Sequence, residues 1–185
     1  AVNIETLIGP VDVFHTSDWV EPPAVAPKVT TVHDLSPFLF PDEMKSGILR
    51  NISAVHAARM TWVVKESAKI ICVSQNTARE LTDLFKVRED RIVVIPEALP
   101  ARFAIRPSPD DIKRFKRLYG LSDYILAIGT PQPRKNISRL VKSYLAYKVQ
   151  LRLPEKLVIV GGSGWGLTDI PVSESVVFTG FLPTY

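Results

Sequence analysis

Short β-branched apolar runs alternate with longer amphipathic stretches along this chain, and that alternation limits the fold more than any other feature of it. Val11-Asp12-Val13-Phe14-His15 and Val29-Thr30-Thr31-Val32-His33 read as strands. From Pro41-Asp42 to about Glu66 the spacing predicts one long helix, with Ile48, Ile52, Val55, Met60 and Val63 on its apolar stripe and Arg50 and Arg59 facing solvent. Lys69 to Val73 is a near-continuous apolar run, as expected of a parallel strand covered on both faces. Ser74 is placed to cap a helix over Gln75–Phe85, because its hydroxyl can accept a free N–H of the first turn. Arg91 to Ile95 reads as the next strand.

Pro96, Pro100, Pro107 and Pro109 then crowd into one stretch, which excludes a regular helix or a central strand there. The pattern resumes beyond it. Ser108-Pro109-Asp110-Asp111 has the residues of a helix start, and Gly120 ends that helix. Tyr124–Ile128 reads as a strand, Ile137 to about Gln150 as a helix, and Leu157–Val160 and Val176–Phe178 as strands. Strand and helix alternating on both sides of a proline-rich joint imply α/β architecture with two doubly wound parallel-sheet units. The boundaries expected are 1–97 for one unit, 98–109 for the linker and 110–185 for the other. Both units are expected to be incomplete. The first opens on two strands with no helix between them, and the second stops just after a strand.

Composition narrows the function. With 46% apolar and 23% charged residues among 185, the chain can bury a sizeable core. Its single cysteine, Cys72, excludes a disulfide framework and a cysteine-rich zinc site, sits in an apolar run as core filler, and suits a reducing compartment. No apolar stretch reaches the roughly 18 residues of a membrane span. Glu5, Gly9, Pro10 and Asp12 interrupt anything resembling a signal peptide. No Asp-x-Asp pair or His/Cys/carboxylate cluster suggests a metal, and no Gly-x-Ser-x-Gly elbow suggests a serine hydrolase. Charge is uneven: residues 101–185 hold 13 basic and 6 acidic side chains, against 10 and 13 in residues 1–100. A basic second half suits a phosphorylated ligand, a membrane surface or nucleic acid.

Ligands of open α/β sheets bind outside the carboxyl ends of the strands, and three strand ends carry suggestive residues. Gly129-Thr130-Pro131-Gln132-Pro133-Arg134-Lys135-Asn136 leads from a strand directly into a helix. Free N–H groups at a helix start attract anions, and Arg134 and Lys135 add a guanidinium fork and a point charge suited to phosphate. Gly161-Gly162-Ser163-Gly164-Trp165-Gly166 follows another strand and allows a close backbone approach, to a ligand or within a plain turn. It is neither a Walker loop nor a complete dinucleotide fingerprint. His33-Asp34 ends a strand of the first half. That histidine can move a proton or bond a ligand hydroxyl, or be held by a local carboxylate for structure. His15 is followed by turn residues Thr16-Ser17-Asp18, and His56 falls inside the long helix without a role.

Several segments in order resemble the family-4 glycosyltransferases of the two-domain GT-B fold. They are Thr31-Val32-His33-Asp34-Leu35 with Phe40-Pro41; Ile71-Cys72-Val73-Ser74 with Thr77, Glu80 and Leu81; and Arg91-Ile92-Val93-Val94-Ile95-Pro96. They continue as Tyr124 to Thr130, Arg134-Lys135-Asn136, Leu157 to Gly162, and Val176 to Gly180. The surroundings of His33-Asp34 and the run Pro131-x-Pro133-Arg134-Lys135-Asn136 are most similar to the mannosyltransferase-like branch.

The resemblance implies two Rossmann-like units, the end of an acceptor-side domain and the start of a donor-side domain. It implies transfer of a sugar from a nucleotide-sugar donor with retained configuration, no metal and no tightly bound cofactor. GDP-mannose is the first expectation for the donor and a UDP-sugar the second. Arg134 and Lys135 would hold the diphosphate, Gly129, Thr130, Gly161 and Gly162 would shape the donor loops, Phe181 and Leu182 would meet the nucleobase, and His33 would reach the transferred sugar. The acceptor implied is a glycan or a lipid-linked glycan, as in polysaccharide biosynthesis. The setting is the cytoplasm, with peripheral association at the inner membrane face allowed, and nucleic acid is no longer needed to explain the basic half. Two departures stand out. Glu97-Ala98 replaces the Asn-Gly usual after Ile-Pro, and the family's early strands and paired-glutamate segment are missing, so a piece of a longer enzyme is expected. The rival readings are another GT-B-type nucleotide-sugar enzyme, such as an epimerase or phosphorylase, and a non-catalytic α/β module binding an anionic ligand or partner.

Overall fold

A computed structural model describes residues 2–41, 52–164 and 169–182. The chain divides into two compact units, Ala1–Leu99 and Pro100–Tyr185. The α/β class with parallel sheets is observed in both.

The first unit is built on four parallel strands in chain order: β1 (Phe14–Ser17), β2 (Lys28–Val32), β3 (Ser67–Cys72) and β4 (Ile92–Val94). Among the described residues four helices accompany them, α1 (Glu5–Ile8), α2 (Ser36–Leu39), α3 (Ile52–Glu66) and α4 (Gln75–Phe85). β1 starts three residues later than its apolar pattern suggests, and Val13 lies outside it, 56% exposed. The partner strand explains this. The Phe14 N–H reaches the Pro27 carbonyl at 3.0 Å, but Pro27 has no N–H to return, so the ladder ends there.

The early part of the expected long helix, with Ile48 and Arg50, lies outside the described residues. Met60 and Val63 of α3 are fully buried against Val32, Leu35, Ile70, Cys72 and Leu81. Val55, expected on the same stripe, is 44% exposed, and His56 takes the inward position at 1% exposure. Residues 56, 60 and 63 follow the i, i+4, i+7 rule that defines one helix face, whereas residue 55 falls off it. Burial pushes the Cys72 thiol up to about 11, so it remains neutral core filler. In α4 the Ser74 hydroxyl accepts the Thr77 N–H at 3.1 Å, as its sequence indicates.

The amino end of this sheet is closed by charge. Lys28, 2% exposed, donates to Glu66 at 2.6 Å and to Glu21 at 3.2 Å. Burial alone would lower its pKa, but its hydrogen bonds to Glu66 and Glu21 reverse this and raise it. The hydroxyls of Thr16, Thr30 and Ser67 form a row across β1, β2 and β3, each step 2.7 Å. Glu21 Oε1 accepts from Thr16 at 2.7 Å and stands 2.8 Å from the Thr30 hydroxyl.

The second unit has α5 (Pro109–Leu118), α6 (Ile137–Leu151) and three parallel strands, β5 (Tyr124–Ile128), β6 (Lys156–Val160) and β7 (Val176–Gly180), side by side in chain order. The proline-rich stretch before α5 holds only a 3₁₀ turn, Ala101–Ala104. α5 opens with a reciprocal capping box between Ser108 and Asp111. Ile137, Val141 and Tyr144 of α6 pack on Leu157 and Ile159 of β6 to form the core. The Tyr144 hydroxyl donates to backbone carbonyls, 2.8 Å from Glu155 and 3.1 Å from Ser175, so its polar end is satisfied.

Candidate functional site

In the first unit the carboxyl ends of β1, β2 and β4 deliver Asp18, His33 and Glu97. Parallel pairing sets Ser17 opposite Thr31, so each chain leaves the sheet beside the other. Asp18 then binds His33 twice. Its Oδ1 is 3.0 Å from His33 Nδ1, and its Oδ2 accepts the His33 backbone N–H at 3.3 Å. Asp18 is 1% exposed, while the His33 side chain is 42% exposed. The other imidazole nitrogen, Nε2, faces Glu97 Oε1 at 3.5 Å, and the Glu97 side chain is 68% exposed.

Under Asp18 lies His56, whose Nε2 stands 3.7 Å from Asp18 Oδ2. Its ring packs between Trp19 and Phe38, with centroids at 4.9 Å and 5.5 Å. Burial pushes the Asp18 carboxyl up, but the imidazoles of His56 and His33 and the His33 N–H outweigh it and hold the carboxyl below its usual range. Asp18 is therefore an anion at neutral pH. Asp34, the carboxylate next to His33 in sequence, serves elsewhere: it accepts the Ser36 N–H at 2.8 Å and starts α2. His15 bonds the Thr31 hydroxyl at 2.8 Å. With His33 it lines an open cavity of about 380 Å³.

In the second unit the strand-to-helix connection is tight. The Gly129 N–H continues the sheet to the Val160 carbonyl at 2.8 Å. Pro133–Lys135 make one 3₁₀ turn, and Asn136, at φ 52°, turns the chain into α6. Arg134 and Lys135 are both exposed on this turn. The Arg134 Nε donates to the Gln132 side chain at 3.1 Å. Among the described residues the basic side chains that find carboxylates in this unit are others: Lys113, Arg114, Lys116 and Lys142. Lys135 runs back over Gly129, its Cδ 4.0 Å from the place a Gly129 Cβ would occupy.

The glycines after β6 meet this connection. A Cβ on Gly161 would stand 2.5 Å from the Gly129 carbonyl oxygen, and one on Gly164 would collide with the Pro131 carbonyl. Only glycine lets the two loops touch through their backbones. Gly162 faces open space instead. Beyond β7, whose Gly180 carbonyl accepts the Gly161 N–H at 3.1 Å, Phe181 is 78% exposed and Leu182 half-buried. Gly129, Thr130, Gly161, Gly162, Arg134 and Lys135 are thus neighbours at one end of this sheet.

Residues 4–101 match the sequence pattern of Glycosyltransferase Family 4. The chain belongs to that family. The family-4 chain is 31% identical to the O-antigen chain mannosyltransferase B of Escherichia coli over 157 residues, 83% of this chain and 39% of that protein. It is 32% identical to the Escherichia coli serotype-specific mannosyltransferase WbdA over 129 residues, 61% of this chain and 15% of that one. It spans less than half the length of these curated relatives. Its fold is similar to that of Anabaena Alr3699/HepE, a structure solved with UDP-glucose, at a TM-score of 0.61 and 17% identity, covering 85% of this chain and 43% of that one. The family-4 resemblance read from the sequence is therefore borne out, as is the GT-B class of fold. Among the described residues no helix is long and apolar enough to cross a membrane.

Two residues of the histidine site have little warning in the family-4 sequence. Asp18 sits in a run that reads as turn chemistry, and His56 reads as an ordinary helix residue. Parallel pairing and helix packing bring them to His33. The signal available was modest: a histidine at an i, i+4 position on an otherwise apolar helix face.

Proposed function

We propose that the protein is a glycosyltransferase that moves a hexose from a nucleoside diphosphate donor to a glycan or lipid-linked acceptor, with mannose from GDP-mannose as the leading donor. The observation that carries this reading is the pair Arg134 and Lys135. Two exposed cations stand at the start of α6, at the carboxyl end of β5, where a phosphate can take their charge together with the helix N–H groups. The mannosyltransferase relatives support the sugar. The UDP-glucose bound by HepE makes a UDP-sugar the alternative donor.

In this reading Arg134 grips the diphosphate with its fork and Lys135 adds a point charge. Both stabilise the negative charge that grows as the nucleoside diphosphate departs. Gly129, Thr130, Gly161 and Gly162 bring backbone close to the donor. The exposed Phe181 ring and Leu182 offer an apolar face to the base. His33 turns Nε2 to a sugar hydroxyl, and transfer retains the anomeric configuration without a metal. The second unit is the donor side and the first the acceptor side.

Calorimetric titration of the intact protein with GDP, UDP, GDP-mannose and UDP-glucose tests the proposal. Binding of one nucleotide family, lost in Arg134→Ala, is the result expected. Binding of none of the four overturns it and leaves a non-catalytic anion-binding module.

A further inference from the structure

We propose that Asp18 is the positioning residue that fixes His33 as the Nδ1–H tautomer, so that Nε2 is presented as a hydrogen-bond acceptor to a substrate hydroxyl. The inference rests on the reading of His33 as the sugar-facing group.

An ionised carboxylate only accepts hydrogen bonds. Asp18 Oδ1 lies 3.0 Å from His33 Nδ1, so that nitrogen must carry a proton. In a neutral imidazole the second nitrogen is then a lone pair. Asp18 Oδ2 is not free to exchange places with Oδ1, because it accepts the His33 backbone N–H at 3.3 Å. The carboxylate is thus fixed at both oxygens by one residue, which sets ring direction as well as tautomer. The apolar packing of His56 between Trp19 and Phe38 closes the space behind it.

The exposed side of the ring supplies the substrate chemistry. Glu97 Oε1 is 3.5 Å from Nε2, longer than an ordinary hydrogen bond of this kind, so Nε2 is not consumed by it. A lone pair and a carboxylate side by side are two acceptors without a donor between them. Neighbouring hydroxyls on a sugar ring supply two donors at that spacing.

The test uses Asp18→Asn, which changes no shape but has a single acceptor oxygen. The His33 backbone N–H can only donate, so the Asn oxygen stays on it and the NH₂ group turns to Nδ1. The ring must then accept at Nδ1 and carry its proton on Nε2. Nitrogen-15 NMR of the histidine rings, recorded above the ordinary histidine titration range, reads the tautomer without any substrate. The expected result is Nδ1–H for His33 in the parent and Nε2–H in Asp18→Asn, with kcat for sugar transfer at least 10-fold lower.

Parent protein showing Nε2–H overturns the proposal, and that measurement needs no variant to fold. An unchanged tautomer in Asp18→Asn overturns it too, even if activity falls, because the loss is then merely structural. A reversed tautomer with undiminished transfer upholds the control of the ring by Asp18 and overturns the role of His33 at the sugar.

Discussion

Gly161 and Gly129, on adjacent strands' carboxyl ends, touch through their backbones: a Cβ on Gly161 would sit 2.5 Å from the Gly129 carbonyl oxygen. No flexible side chain is available to yield, so the strand-to-helix connection holding Thr130 would have to move. Gly161→Ala is expected to cost about 1–3 kcal/mol in urea unfolding, the range for overpacking, and to weaken donor binding. Gly162→Ala, whose added methyl meets nothing within 4 Å, is the control for stability and is expected to leave the urea midpoint unchanged.

Lys135 and Arg134 have no carboxylate partner among the described residues, so their removal leaves no orphaned charge. Lys135→Ala is expected to weaken donor affinity by more than about 1.5 kcal/mol, the scale of a charge-assisted hydrogen bond, with folding stability nearly unchanged. Titration calorimetry against chemical unfolding separates the two. Unchanged affinity would remove Lys135 from the diphosphate site.

Lys28 behaves in the opposite way. Its partner Glu21 has a side chain only 1% exposed. Lys28→Ala strands that carboxylate, and breaking such a buried pair costs about 3–5 kcal/mol. Denaturant midpoints should show it, with donor binding by the remaining folded protein preserved.

Acid should act through Asp18. Its folded pKa lies below its unfolded value, so the stability it adds is present above about pH 4, the ordinary range for Asp, and is lost as pH falls through the folded value. Glu5, Asp111 and Asp123 shift in the same direction. The parent must therefore be compared with Asp18→Asn, whose stability should change less between pH 6 and pH 3. Equal slopes would show that Asp18 gains nothing from its imidazole neighbours.

What the sequence made legible was local. Ser74 and Phe85 bound α4 as read, because a cap and an apolar period lie within a few residues of each other. β5 matches its apolar run, Tyr124–Ile128. The start of β1 differs from its apolar pattern because it depends on Pro27, the residue just before the partner strand β2. The inward place of His56 was missed because Val55 is the more apolar neighbour, and helix phase decides against it. The partnership of Asp18 and His33 crosses 15 residues and two strands, so only the pairing reveals it, and Asp34 is the natural but mistaken choice from sequence. The cations and glycines of the second unit were visible because strand, loop and helix follow one another directly.

The row of hydroxyls from Thr16 through Thr30 to Ser67 bears on the proposed role of His33 although it lies within the sheet. It works as a phase lock between strands. Sliding β1 by one residue along β2 would break the 2.7 Å Thr16–Thr30 link and turn Asp18 to the opposite face of the sheet. The aim of the His33 ring is thus set by strand alignment, and under the role proposed for His33 substitutions in that inner row should lower sugar transfer before they unfold the protein.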